Sequence, residues 1–103
     1  MEYCKITPED IFHNEEIRSY ILRGNDSLGA IGFTEHGLAH AKRSSDTARG
    51  ILTALGYPER DCQLAAIAGY MHDIGNSINR VDHAHSGALM AFTILNKLNM
   101  PPE

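Results

Sequence analysis

A chain of 103 residues has room for one domain with a modest core and not for two independent ones. Its 43% hydrophobic and 21% charged residues are ordinary values for a globular protein. The net charge of -4, with Lys42-Arg43 as the one adjacent basic pair, leaves no basic face able to displace counterions from a phosphate backbone, so no nucleic-acid partner is expected.

In chain order, Thr7-Pro8-Glu9-Asp10 announces a helix: a capping hydroxyl, proline at the first helical position, and acids in the first turn. Ile11, Ile17, Ile21 and Leu22 carry it to Arg23, with Gly24 placed to stop it and His13 a solvated residue along it. Gly24-Asn25-Asp26-Ser27, then Gly29 and Gly32, reads as loop, apart from a short ambiguous Ala30-Ile31-Gly32-Phe33. A second helix is predicted from Thr34 to Leu55, ended by Gly56 and Pro58. It bears a small-residue stripe of Ala41, Ser44, Ser45, Ala48, Ile51, Leu52 and Leu55, suited to close packing, beside a polar face of His36, His40, Arg43 and Thr47.

Pro58-Glu59-Arg60-Asp61 opens a third helix, and the run from Leu64 to Met71, apolar nearly all round, predicts that it is central and buried. That run is also the longest apolar stretch and far too short to span a membrane, and no targeting segment opens the chain. A fourth helix is expected from about Val81 or Asp82, packing through Ala84, Ala88, Ala91, Phe92, Leu95 and Leu98, until Met100-Pro101-Pro102-Glu103 ends it. Cys4 and Cys62 form neither a disulfide framework nor a Cys-x-x-Cys pair, which fits two thiols in a reducing cytoplasm.

Chemistry concentrates where the third helix ends, at His72-Asp73-Ile74-Gly75. An ionised aspartate at the C-terminal end of a buried helix, the wrong end for the dipole, is costly unless a positive charge meets it. A divalent metal supplies that charge, the neighbouring imidazole can bind the same ion, and His40 can reach it from the second helix. Histidine and carboxylate ligands suit manganese, iron, cobalt, nickel or zinc better than calcium. Singly, each residue has a plainer role: a core histidine bonded to a carbonyl, an aspartate paired with Arg43 or Arg80, or exposed histidines on a polar face.

The pattern of His40, then His72-Asp73-Ile74-Gly75, then His83 four residues before Gly87-Ala88 resembles the HD domain superfamily of metal-dependent phosphohydrolases, over roughly Thr34 to Leu98. The resemblance implies an all-α bundle of about four to five helices in which His40, His72 and Asp73 bind a metal, with Asp73 able to bridge to a second ion. His40 is preferred to His36 as the first histidine for its spacing to Arg43 and Gly56, leaving His36 as outer support or an alternate ligand. His83 would match the further histidine of two-metal members, with His85 its rival. The implied cofactor is one or two divalent transition-metal ions, and the implied substrate a nucleotide or other small phosphorylated metabolite, its phosphate within reach of Arg80, Arg43 or Lys42.

The sequence departs from the family pattern at Asn76, where a lysine is usual, and in carrying no aspartate after Asp82 to complete the first metal's shell. It therefore reads as a single HD-like domain over 1–103 lacking the C-terminal helix or helices of a complete one, with bare apolar surface that would favour a homodimer. Two alternatives stay open: a degenerate HD module that binds metal, nucleotide or a partner without catalysis, and a di-iron oxygenase on the same scaffold.

Overall fold

The computed structural model describes residues 5–30, 37–74 and 83–101, without the side chains of 24–30 and 83–85. Among these residues the protein is all-α: α1 is Pro8–Phe12, α2 Glu15–Ala30, α3 Leu38–Ala54, α4 Glu59–Met71 and α5 His83–Lys97. None of these helices is long and apolar enough to cross a membrane.

The start of α1 follows its sequence signature. The Thr7 hydroxyl accepts from the Asp10 amide at 3.3 Å, and the Asp10 carboxylate accepts from the Thr7 amide at 2.9 Å, a reciprocal capping box. The expected single helix to Arg23, however, is two helices. The chain breaks at His13, which is exposed and bonded through Nδ1 to the Glu9 carbonyl, and restarts at Asn14, whose Oδ1 accepts from the Ile17 amide at 2.9 Å. An asparagine followed by Glu15 and Glu16 is a good helix start in its own right, and it wins over simple continuation. Nor does Gly24 stop α2, which runs through the expected loop to Ala30. A glycine inside a helix costs only about 1 kcal/mol, and a helix already nucleated extends past it more readily than it starts.

α3 begins at Leu38 behind an extended Gly37, later than expected; Thr34 lies outside the described residues. Its end is as predicted. Gly56 takes a left-handed φ of 82°, and bonds from the Tyr57 amide to the Leu52 carbonyl and from the Gly56 amide to the Thr53 carbonyl close a Schellman turn. Asn99, with φ 61°, closes α5 in the same way through Met100 to Leu95 and Asn99 to Asn96.

The core gathers Ile6, Ile11, Ile17 and Ile21 from the N-terminal part, Ala41 from α3, Ile67, Tyr70 and Met71 from α4, then Ile74 and Ile94. Phe12 and Tyr70 meet ring to ring at 4.8 Å. Polar ties fix the periphery: Arg60 donates to the Ile6 carbonyl at 2.6 Å, Arg49 pairs with Glu59, and Lys97 reaches Glu16 at 3.0 Å. Cys62 is a buried free thiol between Thr53 and the Tyr57 carbonyl.

Two expected faces shift. α4 is not buried all round: Cys62, Ala66, Ile67, Tyr70 and Met71 are, but Ala68 is exposed. On α5, Phe92 and Ala88 point to solvent, Phe92 at 72% exposure, while Gly87 and Ile94 are buried and Ala91, Leu95 and Leu98 partly so. The helical period was legible, but not which of two adjacent apolar stripes turns inward. On α3, Ala41 and Ser45 are buried while Ile51 and Leu55, at the far end of the predicted stripe, are exposed.

What positions the site is the crossing of α3 and α4. A Cβ on Gly69 would stand 2.7 Å from the Ser44 backbone oxygen and 3.1 Å from Ser45 Cα, so only glycine allows these two backbones to lie this close. Ser45 is wholly buried there, and its hydroxyl has no hydrogen-bond partner among the described residues.

Candidate metal centre

The close crossing lays His40, in the first turn of α3, beside the C-terminal end of α4. His72 caps that helix with near-helical backbone angles (φ -62°, ψ -27°), and Asp73 follows in the turn. Together, His40, His72 and Asp73 each offer a ligand atom within 4.8 Å of the others. Asp73 Oδ2 is the shared corner, 3.0 Å from His72 Nε2 and 3.4 Å from His40 Nε2. The imidazole rings lie 5.3 Å apart and are inclined at 60°. Asp73 is the most sheltered of the three, its side chain 15% exposed against 30% for His40 and 42% for His72.

Hydrogen bonding decides what this arrangement can hold. His72 Nδ1 lies 2.7 Å from the Gly69 carbonyl, which can only accept, so Nδ1 carries the proton. A neutral His72 therefore points the lone pair of Nε2 at a carboxylate oxygen 3.0 Å away. Two electron-rich atoms at that distance require a positive charge on one or between them. A proton on Nε2 is one solution: the bond to Asp73 raises the His72 pKa above the ordinary histidine value, against partial burial and with help from the Gly69 carbonyl. A metal ion is the other.

The two separations from Asp73 fit an ion. Ligand atoms about 2.1 Å from a divalent metal stand roughly 3.0 Å apart at a right angle and roughly 3.4 Å apart at a tetrahedral angle, and both observed separations from Asp73 fall there. A backbone carbonyl that takes the far ring proton is the usual way a ligating histidine is oriented. The negative end of the α4 dipole adds to the attraction for a cation.

Of the other expected residues, Arg43 lies beside His40 in a surface recess of about 490 Å³ that Ser44 and Thr47 also line. Lys42 is engaged with Asp46 at 2.7 Å and lies 4.9 Å from the centre of the Phe12 ring. His83 and His85 stand in the first turn of α5 by their backbone, with their side chains outside the described residues, as are His36, Arg80 and Asp82 altogether. Gly69 is the functional residue that sequence reasoning passed over. It both permits the helix crossing and orients His72, and its signal was a lone glycine inside an otherwise apolar helix.

Among known proteins, the chain is similar to an uncharacterized protein of Methanocaldococcus jannaschii, 27% identical over 91% of this chain. The match covers 42% of that relative's length, so the chain spans less than half of the protein it resembles. No protein-family model matches the chain, and no solved structure does.

Proposed function

We propose that the protein is a metal-dependent phosphohydrolase of the HD type, acting on a nucleotide or other small phosphorylated metabolite. The observation that carries this reading is the convergence of His40 Nε2, His72 Nε2 and Asp73 Oδ2 at the end of α4. These three atoms would hold one divalent transition-metal ion, manganese, iron, cobalt, nickel or zinc, and three protein ligands are the usual complement of a catalytic site that keeps a position for water. When bound, such an ion lowers the pKa of a coordinated water to near neutrality and polarises a phosphoryl oxygen.

The chain's own residues then have separate tasks. Gly69 holds the His72 ring with Nε2 facing the centre. Asp73, sheltered and shared by both histidines, supplies the negative charge that selects a cation over a neutral guest. Arg43, one helical turn from His40 in the same recess, would draw a substrate phosphate toward the triad, since a guanidinium can pair with two phosphate oxygens at once. A bridging role for Asp73, and ligation of a second ion by His83 or His85, belong to the same proposal.

The test is elemental analysis of protein loaded with each of the five metals, followed by a phosphate-release screen over phosphomonoesters and nucleotides. The reading expects about one or two ions per chain at a catalytic site and release that stops on chelation and returns on reloading. Protein that takes up none of these metals contradicts it. Metal uptake with no hydrolysis of any ester points instead to a binding module.

A further inference from the structure

His40 and His72 each line a different surface hollow. His40 borders the recess on α3, whose lining combines Arg43, Ser44 and Thr47 with the apolar Ala48 and Ile51. His72 borders a channel of about 550 Å³ between α4 and α5, whose walls include Leu64, Ala68, Gly87, Ala88 and Leu95. Among the described residues that line this channel, His72 alone carries a side-chain nitrogen or oxygen. Small residues, Ala68 on α4 and Gly87, Ala88 and Ala91 on α5, leave open space among the larger Leu64, Ile67, Met71 and Leu95, unlike at the crossing of α3 and α4. Its volume is that of a pocket for a small organic molecule.

Resting on the phosphohydrolase reading, we infer that the substrate is a phosphomonoester with an apolar organic body, which lies in the α4–α5 channel while its phosphate meets the triad and the Arg43 side. A phosphate needs positive charge and donors, which Arg43, Ser44 and Thr47 carry on the recess side, whereas the described lining of the channel beyond His72 carries none. A nucleobase or sugar placed in the channel would set its donors and acceptors against the aliphatic side chains of the described lining, whereas an aromatic or branched aliphatic group buries apolar surface there. The continuity of the channel with His72 ties the two parts of the ligand together, because a group attached to a phosphate at the triad has this opening beside it. In hydrolysis, the water oxygen bonds to phosphorus, the bond from phosphorus to the ester oxygen breaks, and the alcohol departs with a proton from that water. The apolar alcohol is then released from the channel and the phosphate from the polar side.

The experiment compares 1-naphthyl phosphate with glycerol phosphate and inorganic phosphate. Binding of the naphthyl ester is followed by its fluorescence in metal-free and metal-loaded protein, and phosphate release is followed in the loaded protein. Ala68→Trp and Ala88→Trp fill the channel from opposite walls at exposed positions. The expected result is at least tenfold tighter binding of the naphthyl ester than of glycerol phosphate, with this advantage lost in both variants and inorganic phosphate affinity unchanged. Equal affinity for the two esters, or an advantage that survives both substitutions, overturns the inference. A change in solution mass in either variant also overturns it, since the channel then holds a second copy of the chain. Failure of the phosphohydrolase reading is told apart by the absence of metal-dependent release from both esters, while the naphthyl preference is read independently in metal-free protein.

Discussion

The two faces of α4 follow opposite packing rules. Toward α3 the helix is locked, with Gly69 against the Ser44 backbone so tightly that one added methyl group has nowhere to go. Toward α5 it is open, with Ala68 exposed beside a channel of about 550 Å³. Ligands for an ion must be held within fractions of an ångström, whereas a guest molecule needs space. The locked face accordingly carries His40 to His72 and Asp73, and the open face leaves room beside His72. Adjacent residues on one helix thus serve rigidity and access.

The strongest way to break this comparison is at the shared corner of the locked side. Asp73→Ala removes the oxygen common to both histidine contacts and is expected to abolish metal uptake in an equilibrium titration, with His72→Ala close behind. His40→Ala should lose far more affinity than His36→Ala. Equal loss at the two would mean that the first histidine of the site is His36.

Gly69→Ala is next. The new Cβ would lie 2.7 Å from a backbone oxygen, an overpacking that costs about 1–3 kcal/mol and should lower both the thermal midpoint and metal affinity. Both follow because the same residue spaces the helices and holds the His72 ring. A loss of stability with metal affinity untouched would separate those two roles.

These sites show how far the sequence alone could be read. The sequence singled out His72 and Asp73 because an ionisable pair at the end of an apolar helix demands a partner, and His40 through the resemblance to the HD pattern, and these three are the residues that converge. Gly56 announced the end of α3, and Thr7 with Asp10 the start of α1. The break at Asn14 was overlooked although the six-residue step from Ile11 to Ile17 is off the helical period, because the apolar residues on both sides read as one run and the Asn14 cap competes with simple continuation. The exposure of Phe92 was hidden because α5 carries two adjacent apolar stripes, and the choice between them is made by packing against α2 and α4. The channel was hidden for a related reason: small residues permit either a close approach or a gap, and only the three-dimensional arrangement decides which.

A smaller effect comes from pH, with opposite signs for the metal-free and metal-bound forms. The His72 pKa is raised by its bond to Asp73, so in metal-free protein the pair's contribution to stability is full below the ordinary value of 6.5 and is lost as pH rises through the raised value. Metal uptake runs the other way, because protons compete with the ion for Nε2. Affinity should fall as pH drops, starting above the ordinary histidine range, with proton release on binding detectable by calorimetry in buffers of different ionisation enthalpy. Affinity independent of pH from 5 to 8, roughly the histidine range, would remove His72 from the ligand set.

The smallest expected change is Ala68→Leu on the open face. It should alter stability by no more than about 0.5 kcal/mol in denaturant unfolding, against the much larger loss from the single methyl added at Gly69. Comparable losses at both positions would mean that the open face is packed in solution.

Anomalous diffraction from a crystal grown with manganese or zinc tests the central claim most directly. The account predicts a peak bonded to His40 Nε2, His72 Nε2 and Asp73 Oδ2 together, with His72 Nδ1 still on the Gly69 carbonyl. A peak that omits any of the three, or metal bound only elsewhere on the molecule, would contradict it.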